Sequence, residues 1–342
     1  MSVRSQPRIS VVTPFYNTKD YLGECIASVL AQSHSNFEYL LVNNMSTDGS
    51  REIAESFAQR DSRIRLVDNE RLLSQIDNYN GALALIAPDA KYVKMVQADD
   101  VAYPECLERL AAVAESDRNV GIVSSFYLWG DELCGVVVSK DAAVLPGREA
   151  CRRTLLERRQ FTGSQTTVLY RADIVRARRP FYPTGRHFFD SDAAFEIMLD
   201  HDLGYVPQIL SFSRRDNDGS VLTEVLSYHP LLLHFYMTME RYGALVLAGE
   251  ELRQARRALR HEYFSYLGTQ AVRLRNRNFW RYHQKGLASL GQDIPWHSVA
   301  GYALSEMARL ALNPESTVER AFPQFARRVG ALLHPSRRKA DD

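Results

Sequence analysis

The chain has 342 residues, of which 45% are hydrophobic, and its 42 Lys and Arg residues nearly balance its 41 Asp and Glu residues. A chain of this size and composition can bury one large core or two ordinary ones. Because the formal net charge is only +1, the molecule lacks the overall attraction to polyanions that is typical of nucleic-acid-binding proteins, and we expect no nucleic-acid partner.

The cysteines and the amino terminus restrict the class of protein further. The four cysteines are widely spaced and form no CxxC pair, which argues against a zinc site or a disulfide framework. Residues 1–10 are polar, and no apolar run reaches the roughly 18 to 20 residues that span a bilayer. We therefore expect a cytoplasmic protein with reduced thiols.

Strands and helices are predicted to alternate through the first hundred residues. Apolar runs predict strands at 9–13, 37–42, 64–67 and 92–96, and helical spacing predicts helices at 21–30, 51–57 and 76–86. This period is typical of a parallel, doubly wound α/β sheet. The first, second and fourth strands are then expected to end at one common edge.

Two adjacent acids, Asp99 and Asp100, follow the fourth predicted strand. Ligands of open α/β sheets bind at the carboxyl ends of the strands, and paired carboxylates supply the oxygen ligands that hard divalent cations prefer. The alternative is that these acids cap the helix predicted from Glu105, because Asp is a common N-cap residue. Both interpretations stay open at this point.

Four segments in this region resemble a known family. They are residues 9–17 (ISVVTPFYN), 28–33 (SVLAQS), 42–50 (VNNMSTDGS) and 97–100 (QADD). Their order, spacing and strand context resemble the nucleotide-sugar-binding half of glycosyltransferase family 2. The resemblance implies a GT-A fold, a Rossmann-like mixed sheet flanked by helices, in which an aspartate motif holds Mn²⁺ or Mg²⁺ on the diphosphate of a nucleotide sugar. It weakens toward residue 223, so we expect a catalytic domain at 1–224 and an appended helical region at 225–342.

The resemblance implies donor-binding roles for several residues. Pro14 and Tyr16 would border the nucleobase, with Tyr16 stacking on it, although a tyrosine at a turn also serves as simple packing. Asn44 would contact the base edge. Asp99 and Asp100 would share the ribose contact and the metal.

Other donor-side residues carry alternatives. Asn78 and Asn80 could touch the diphosphate or sugar, although helix capping explains one of them equally well. Arg214 or Arg215 could clamp the diphosphate, because a forked guanidinium suits phosphate oxygens. Many relatives carry a metal-binding His shortly after these arginines, whereas this chain has Asp216.

Two positions depart from the family pattern. The turn that usually holds two aspartates has Asn43-Asn44, and the first position of the metal motif is Gln97. Since an amide presents both a donor and an acceptor, Asn44 would suit uracil and other bases. A UDP-sugar is the expected donor. The sequence defines the nucleobase less closely than it defines the fold.

The acceptor side contains two candidate bases, Asp190 and Asp192. In inverting members of the family, an aspartate at this position removes the proton of the acceptor hydroxyl as that oxygen attacks the anomeric carbon. The register favours Asp190, with Phe189 replacing the usual Glu, and Asp192 is the second candidate. The alternative role for either residue is to cap the following helix.

Helical spacing over 229–247, 250–275 and 298–312 predicts the appended region, which is rich in arginine and aromatic residues between 253 and 285. A basic aromatic surface could rest on anionic lipid at the inner face of the membrane and reach a lipid-linked acceptor. A solvated helix face or a dimer contact explains the same composition.

The sequence as a whole predicts an inverting, metal-dependent enzyme that transfers a single sugar to a glycan or lipid-linked hydroxyl, in bacterial surface or extracellular polysaccharide assembly. A Gln-x-x-Arg-Trp motif, which would indicate a processive synthase, is absent, and so is the Gly-x-Gly-x-Arg loop of sugar nucleotidyltransferases. The alternative is a catalytically degenerate GT-A protein that binds nucleotide sugar, or a partner enzyme, as a scaffold.

Overall fold

The computed structural model describes residues 6–136, 143–186, 188–215 and 227–312. The chain forms two compact units. The first comprises residues up to 227 together with 238–252, and the second comprises 228–237 and the residues from 253 onward.

The first unit contains a mixed sheet and flanking helices. Its described strands are β1 (Ile9–Phe15), β2 (Phe37–Asn43), β3 (Ile64–Asp68), β4 (Tyr92–Met95), β5 (Val101–Ala102), β6 (Val120–Trp129), β7 (Glu132–Cys134), β8 (Val144–Leu145), β9 (Leu169–Arg171) and β10 (Asp202–Ser213). Its described helices are α1 (Lys19–Leu30), α2 (Ser50–Ala58), α3 (Gln75–Leu83), α4 (Cys106–Ala114), α5 (Gly147–Glu157), α6 (Ala172–Ala177) and α7 (Phe189–Met198).

The strands lie in the order β3-β2-β1-β4-β9-β6-β10-β5, with β7 paired to β6 and β8 paired to β10. The first four are parallel, and β9 runs antiparallel to both β4 and β6. Every residue of β1 is buried, as expected for a central parallel strand covered by helices on both faces. The Rossmann-like mixed sheet that the sequence predicts is confirmed.

The strand ends that matter for function meet at one edge. Phe15, the last residue of β1, pairs with Asn43, the last residue of β2, and Val12 pairs with Met95 at the end of β4. The turn after β2 continues to Gly49, whose φ of +98° is a conformation that favours glycine, and α2 begins at the next residue. The loops after β1, β2 and β4 therefore converge, as predicted.

The strand that lies between β4 and β6 in the sheet is short. Residues 163–170 have the apolar and β-branched composition of a strand, but Gln165–Thr167 forms a 3₁₀ turn, and only β9 joins the sheet. The hydroxyl of Thr167 donates to the carbonyl of Ser164 at 2.8 Å. Threonine hydroxyls compete with sheet pairing by bonding the nearby backbone, which accounts for the turn.

Four more helices follow the sheet: α8 (Pro230–Val246), α9 (Gly249–Val272), α10 (Arg277–Ala288) and α11 (Trp296–Leu312). Of these, α10 is not predicted as a separate helix; it begins where the side chain of Asn276 accepts a hydrogen bond from the backbone of Phe279 at 2.9 Å. No helix in the described part of the chain is long and apolar enough to cross a membrane.

Candidate active site

A cavity of about 420 Å³ lies where β1, β2 and β4 end. It is lined by Pro14, Phe15, Tyr16, Thr18, Asn44, Leu72, Leu73, Gln75, Asn78, Tyr79, Gln97, Ala98 and Asp99. The lining combines aromatic and apolar surface with a few amides and one carboxylate, as ligand pockets at strand edges commonly do. Five predicted donor-side residues, Pro14, Tyr16, Asn44, Asn78 and Asp99, line this cavity together.

Tyr16 presents its ring to this cavity. The side chain is 46% exposed, so the protein does not use the whole ring for packing. Its loop is held against the turn after β2, because the side chain of Asn17 accepts from the backbone of Thr47 at 2.8 Å and the backbone of Asn17 donates to Ser46 at 3.1 Å. An aromatic face held in this way can stack on a planar base.

A network of amides supports the same cavity. Oδ1 of Asn44 accepts from the backbone of Leu73 at 3.0 Å and from Nδ2 of Asn69 at 2.9 Å, and its Nδ2 donates to the carbonyl of Leu73 at 3.0 Å. Asn69 also donates to Oδ1 of Asn78 at 2.8 Å. Asn44 therefore fixes the cavity wall at Leu73, and its contact with a base edge stays a prediction. Asn69 is not predicted as a site residue, although it comes directly after β3 at the same sheet edge.

Asn80 does not line this cavity. Its Nδ2 donates to the carbonyl of Tyr182 at 2.9 Å, and its Oδ1 accepts from the backbone of the same residue at 2.8 Å. The side-chain amide thus makes the pair of hydrogen bonds that the backbone of a neighbouring strand would make with residue 182. The structure separates Asn80 from Asn78, with which the sequence groups it.

The two adjacent acids have different surroundings. Asp99 is half-buried and lines the cavity. Asp100 is 2% exposed and its carboxylate accepts from Thr166 Oγ1 at 2.5 Å, Ser213 Oγ at 2.9 Å and the backbone of Arg214 at 3.2 Å. Burial, aided by the negative charge of Asp99, raises the pKa of Asp100 to about 7. Three protein donors bind Asp100, so Asp99 is the more accessible of the two acids, and the sharing of a metal by both stays a prediction.

Neither Asp99 nor Asp100 caps the following helix. Helix α4 begins at Cys106 after Glu105, with no side-chain cap, and β5 lies between the acids and the helix.

A buried lysine binds the 3₁₀ turn that supports the Asp99-Asp100 motif. Lys94 in β4 is fully buried, and its ammonium group donates to the carbonyls of Thr166 and, at 3.4 Å, Val168. Desolvation lowers the pKa of Lys94. Since Thr166 also accepts at 3.0 Å from the backbone of Gln97, the lysine and the threonine fix the strand end that carries Asp99.

The residues present fit a divalent ion only in part. No group of three His, Cys, Asp or Glu side chains in the described residues could hold a metal by itself. Mg²⁺ in phosphate sites is commonly held by one or two carboxylates together with substrate phosphates and water, and Asp99 can supply one such carboxylate. The chain therefore fits an ion that arrives with a diphosphate, and it does not fit an ion bound by protein alone.

Asp190 lies in the first turn of α7. It is half-buried, and its Oδ1 accepts from the backbone of Ser191 at 2.8 Å. Desolvation raises the pKa of Asp190. The charges of Asp99, Asp100 and Asp190 all raise the pKa of Tyr79 in the cavity wall. The ring of Tyr79 also contacts that of Phe189, the residue before Asp190, with 6.2 Å between ring centres. Asp190 therefore lies near the donor-side cavity, and its role as the base stays a prediction.

Asp192, two residues further along α7, is held by two arginines. It is 3% exposed, and its Oδ2 accepts from Arg241 at 2.6 Å and from Arg186 at 3.3 Å. Arg186 also donates to Glu196 at 2.8 Å. A carboxylate bound by two guanidinium groups stabilises α7 and is poorly placed to accept a proton from a substrate. Of the two candidate bases, the geometry therefore favours Asp190.

The two predicted arginine clamps lie outside the cavity lining. The guanidinium of Arg214 lies 4.8 Å from the ring centre of Tyr21 and pairs with Glu24. Arg215 pairs with Glu132 at 2.6 Å and lies over the ring of Trp129. Their role on a diphosphate stays a prediction, and Asp216 lies outside the described residues.

Comparison with known proteins identifies a family with the same sequence pattern. The model of the family described as Glycosyl transferase family 2 matches residues 10–177, which include β1 to β4, the cavity and the 3₁₀ turn. The chain belongs to glycosyltransferase family 2. That match ends before Asp190, so the acceptor side of the site is assigned by geometry and register alone.

Three proteins illustrate the similarity. Putative glycosyltransferase EpsE of Bacillus subtilis is 29% identical over 246 residues, which cover 66% of this chain and 82% of EpsE. Putative teichuronic acid biosynthesis glycosyltransferase TuaG of the same species is 36% identical over 104 residues, which cover 30% of this chain and 40% of TuaG. The crystal structure of residues 1–349 of S. aureus TarS in complex with UDP-GlcNAc aligns with a TM-score of 0.60 at 16% identity, over 85% of this chain and 82% of that one.

The structural likeness confirms the GT-A fold of this family 2 member. Several curated relatives besides TuaG are also covered over less than two thirds of their own length.

Proposed function

We propose that the chain transfers one sugar from a nucleoside diphosphate sugar to a hydroxyl acceptor, with inversion at the anomeric carbon. The observation that carries the proposal is the position of Tyr79, which lines the donor-side cavity together with Asp99 and packs on Phe189, the residue before Asp190. An inverting transfer needs its leaving diphosphate and its general base on opposite sides of one sugar. We place the sugar between Asp99 and Asp190, so that the diphosphate and the base approach it from different sides.

On the donor side, the exposed ring of Tyr16 stacks on the nucleobase and the amides of Asn44 and Asn78 face the nucleotide. A UDP-sugar is the favoured donor, because TarS, which shares the fold, is solved with UDP-GlcNAc. The Oδ1 of Asn44 is occupied by Leu73 and Asn69, so its remaining Nδ2 hydrogen is the group that would meet a carbonyl oxygen of uracil. Arg214 and Arg215 would reach the diphosphate after leaving their present partners.

Asp99 would hold Mn²⁺ or Mg²⁺ together with the diphosphate oxygens. When bound, such an ion stabilises the negative charge that develops on the leaving group. Asp100 acts in this scheme through the backbone: its three hydrogen bonds fix the strand end on which Asp99 lies.

On the acceptor side, Asp190 removes the proton of the attacking hydroxyl. Its raised pKa, caused by burial, makes it a stronger base than an ordinary exposed aspartate. Tyr79 and Tyr182, which lie within ring contact of Phe189, restrict water around this carboxylate.

We assign catalysis to residues 1–224 and propose that the helical region, 225–342, serves the acceptor. A glycan or lipid-linked acceptor in bacterial surface polysaccharide assembly is consistent with the similarity to TuaG. Eight Arg and Lys side chains in the described part of the helical region are exposed, whereas Phe264 and Phe279 are buried in the core of the second unit. Peripheral contact with anionic lipid at the inner face of the membrane would therefore depend on charge more than on aromatic insertion.

Calorimetric titration of UDP, GDP, dTDP and CDP, each with and without Mn²⁺, tests the donor assignment. We expect one nucleotide to bind in a metal-dependent manner and Asp99→Asn to abolish that dependence. Asp173→Asn, which alters an exposed aspartate on α6, is the matched control and should bind like the wild type.

Binding of none of the four nucleotides, with the protein folded, would contradict the proposal and favour the scaffold alternative. Nucleotide binding without transfer or donor hydrolysis would contradict the proposed catalysis and favour the scaffold alternative. It would still support the nucleotide site.

A further inference from the structure

A second cavity, of about 270 Å³, lies between the C-terminal half of α3 and residues 175–181. Three arginines line it, Arg176, Arg178 and Arg179, and its lining contains no acidic residue. Apart from Asn80, the other lining residues are apolar. None of its lining residues belongs to the donor-side cavity.

Arg176, which lines this cavity, has one N–H donor without a hydrogen-bond partner among the described residues. One of its terminal nitrogens donates to the carbonyls of Ala87 at 3.0 Å and Ala90 at 2.6 Å, which anchors the side chain. Its Nε is buried and has no hydrogen-bond partner among the described residues. Buried N–H groups are nearly always paired, so this one indicates an acceptor that the described residues do not supply.

The charges around the cavity are unbalanced. Arg178 pairs with Glu196, which already binds Arg186, while Arg179 is exposed next to it. Of the three lining arginines, Arg178 thus shares its carboxylate with Arg186, and Arg176 bonds backbone carbonyls. Guanidinium groups match phosphate oxygens with paired, parallel N–H donors, which makes phosphate the anion that this arrangement suits.

We propose that this second cavity binds a phosphate group at a site separate from the nucleotide site. The apolar lining residues, Leu83, Ile86, Val175 and Phe181 among them, leave room for a hydrophobic chain attached to the phosphate. Phe181 packs on Tyr182, and Tyr182 packs on Phe189, the residue before Asp190. A phosphorylated acceptor bound here would therefore lie close to the candidate base, and free inorganic phosphate would use the same donors.

The test titrates inorganic pyrophosphate and geranyl diphosphate calorimetrically into the full chain in buffer that contains EDTA. Removing divalent ions weakens binding at the donor-side cavity, where Asp99 repels an uncompensated diphosphate, and the variants below test whether the remaining binding belongs to the arginine-lined cavity. We expect both ligands to bind the wild type. Because the buffer holds no free divalent ion, this binding is separated from the metal-dependent nucleotide binding of the proposed function.

Two variants locate the site. Arg179→Gln removes an exposed charge, and Ala84→Glu places a carboxylate at an exposed lining position, so neither disturbs a buried contact. Each should raise the dissociation constant at least about tenfold, equivalent to 1.4 kcal/mol. Arg109→Gln removes an exposed arginine of α4 outside the cavity and should have no effect.

The two ligands also distinguish the two sources of phosphate. Tighter binding of geranyl diphosphate would support a lipid-linked ligand, and equal affinities would support a free anion; both results support the site. Absence of binding by the wild type, or binding that survives in both variants, would overturn the proposal. Equal melting temperatures of wild type and variants exclude a folding defect.

Discussion

The hydroxyl of Thr166 donates to the carboxylate of Asp100 across 2.5 Å, and both side chains are buried. The same oxygen accepts from the backbone of Gln97, and the carbonyl of Thr166 accepts from Lys94. One residue of the 3₁₀ turn thus holds both ends of the segment that carries Asp99. The acid motif is positioned from across the sheet and not by its own strand alone.

Replacement of Thr166 by Val should therefore weaken both stability and nucleotide binding. The shape is kept, but a buried carboxylate loses a donor, and hydrogen bonds to charged groups contribute about 1.5–3 kcal/mol. We expect the free energy of unfolding in urea to fall by that amount and metal-dependent nucleotide affinity to fall with it. Thr166→Ser keeps the hydroxyl and is the control; a Val variant as stable as the Ser variant would contradict the role of this bond.

Tyr16→Ala should reduce nucleotide affinity without affecting the fold. Stacking of a base on an aromatic ring contributes about 1–3 kcal/mol, so the dissociation constant is expected to rise by roughly tenfold or more. Because the ring is 46% exposed, the melting temperature should hardly change. Tyr16→Phe keeps the stacking face and should bind like the wild type, and an Ala variant of unchanged affinity would show that the ring does not touch the base.

The raised pKa of Asp190 predicts a specific pH dependence. Transfer needs the ionised carboxylate, so kcat/KM should rise with pH through a value above the ordinary aspartate pKa of about 3.9. Asp190→Asn should lose most activity at every pH. Retention of near-full turnover by this variant, with loss in Asp192→Asn, would reverse the assignment of the base.

Ionisation of Asp190 should have opposite effects on activity and on stability. As pH rises, kcat/KM should increase, whereas the contribution of this residue to folding stability should decrease. An acid whose pKa is higher in the folded than in the unfolded state holds its proton longer when folded, so its contribution to stability is present below the unfolded pKa and is lost as pH rises through the folded value. Asp190→Asn cannot ionise, and its melting temperature relative to wild type should increase between pH 4 and pH 8. This readout does not depend on activity and reports burial of the carboxylate directly.

Arg241→Met should destabilise the protein strongly. It leaves the buried carboxylate of Asp192 with one of its two partners, and breaking a buried ion pair costs about 3–5 kcal/mol. The exposed Arg309, which pairs with Glu306, is the control, since Arg309→Met should destabilise the protein far less. Urea unfolding measures both, and equal losses would show that the Asp192 cluster is not a buried structural unit.

The central sheet and much of the donor-side cavity follow from local sequence signals. Tyr16, Asn44 and Asp99 each come within a few residues of a strand end, and parallel strands bring such positions to one edge. A polar residue after an apolar run is therefore informative without any knowledge of distant contacts.

Contacts between distant residues are not encoded in this way. Asn78 and Asn80 look alike in the sequence, yet one lines the cavity and the other bonds Tyr182, which is 102 residues away. Lys94 interrupts an apolar run, and only the turn at Thr166 explains how its charge is buried. Asp100 and Asp192 are likewise distinguished from Asp99 and Asp190 by partners that the local pattern does not reveal.

Helix α3 forms a wall of both cavities, with Asn78 and Tyr79 facing the first and Asn80 and Leu83 facing the second. A ligand that displaces this nine-residue helix from one side changes the shape of the other cavity. By thermodynamic linkage, the factor by which a nucleotide alters phosphate affinity must equal the factor by which phosphate alters nucleotide affinity. We therefore expect that occupancy of either proposed site alters the affinity of the other, because both sites share this helix.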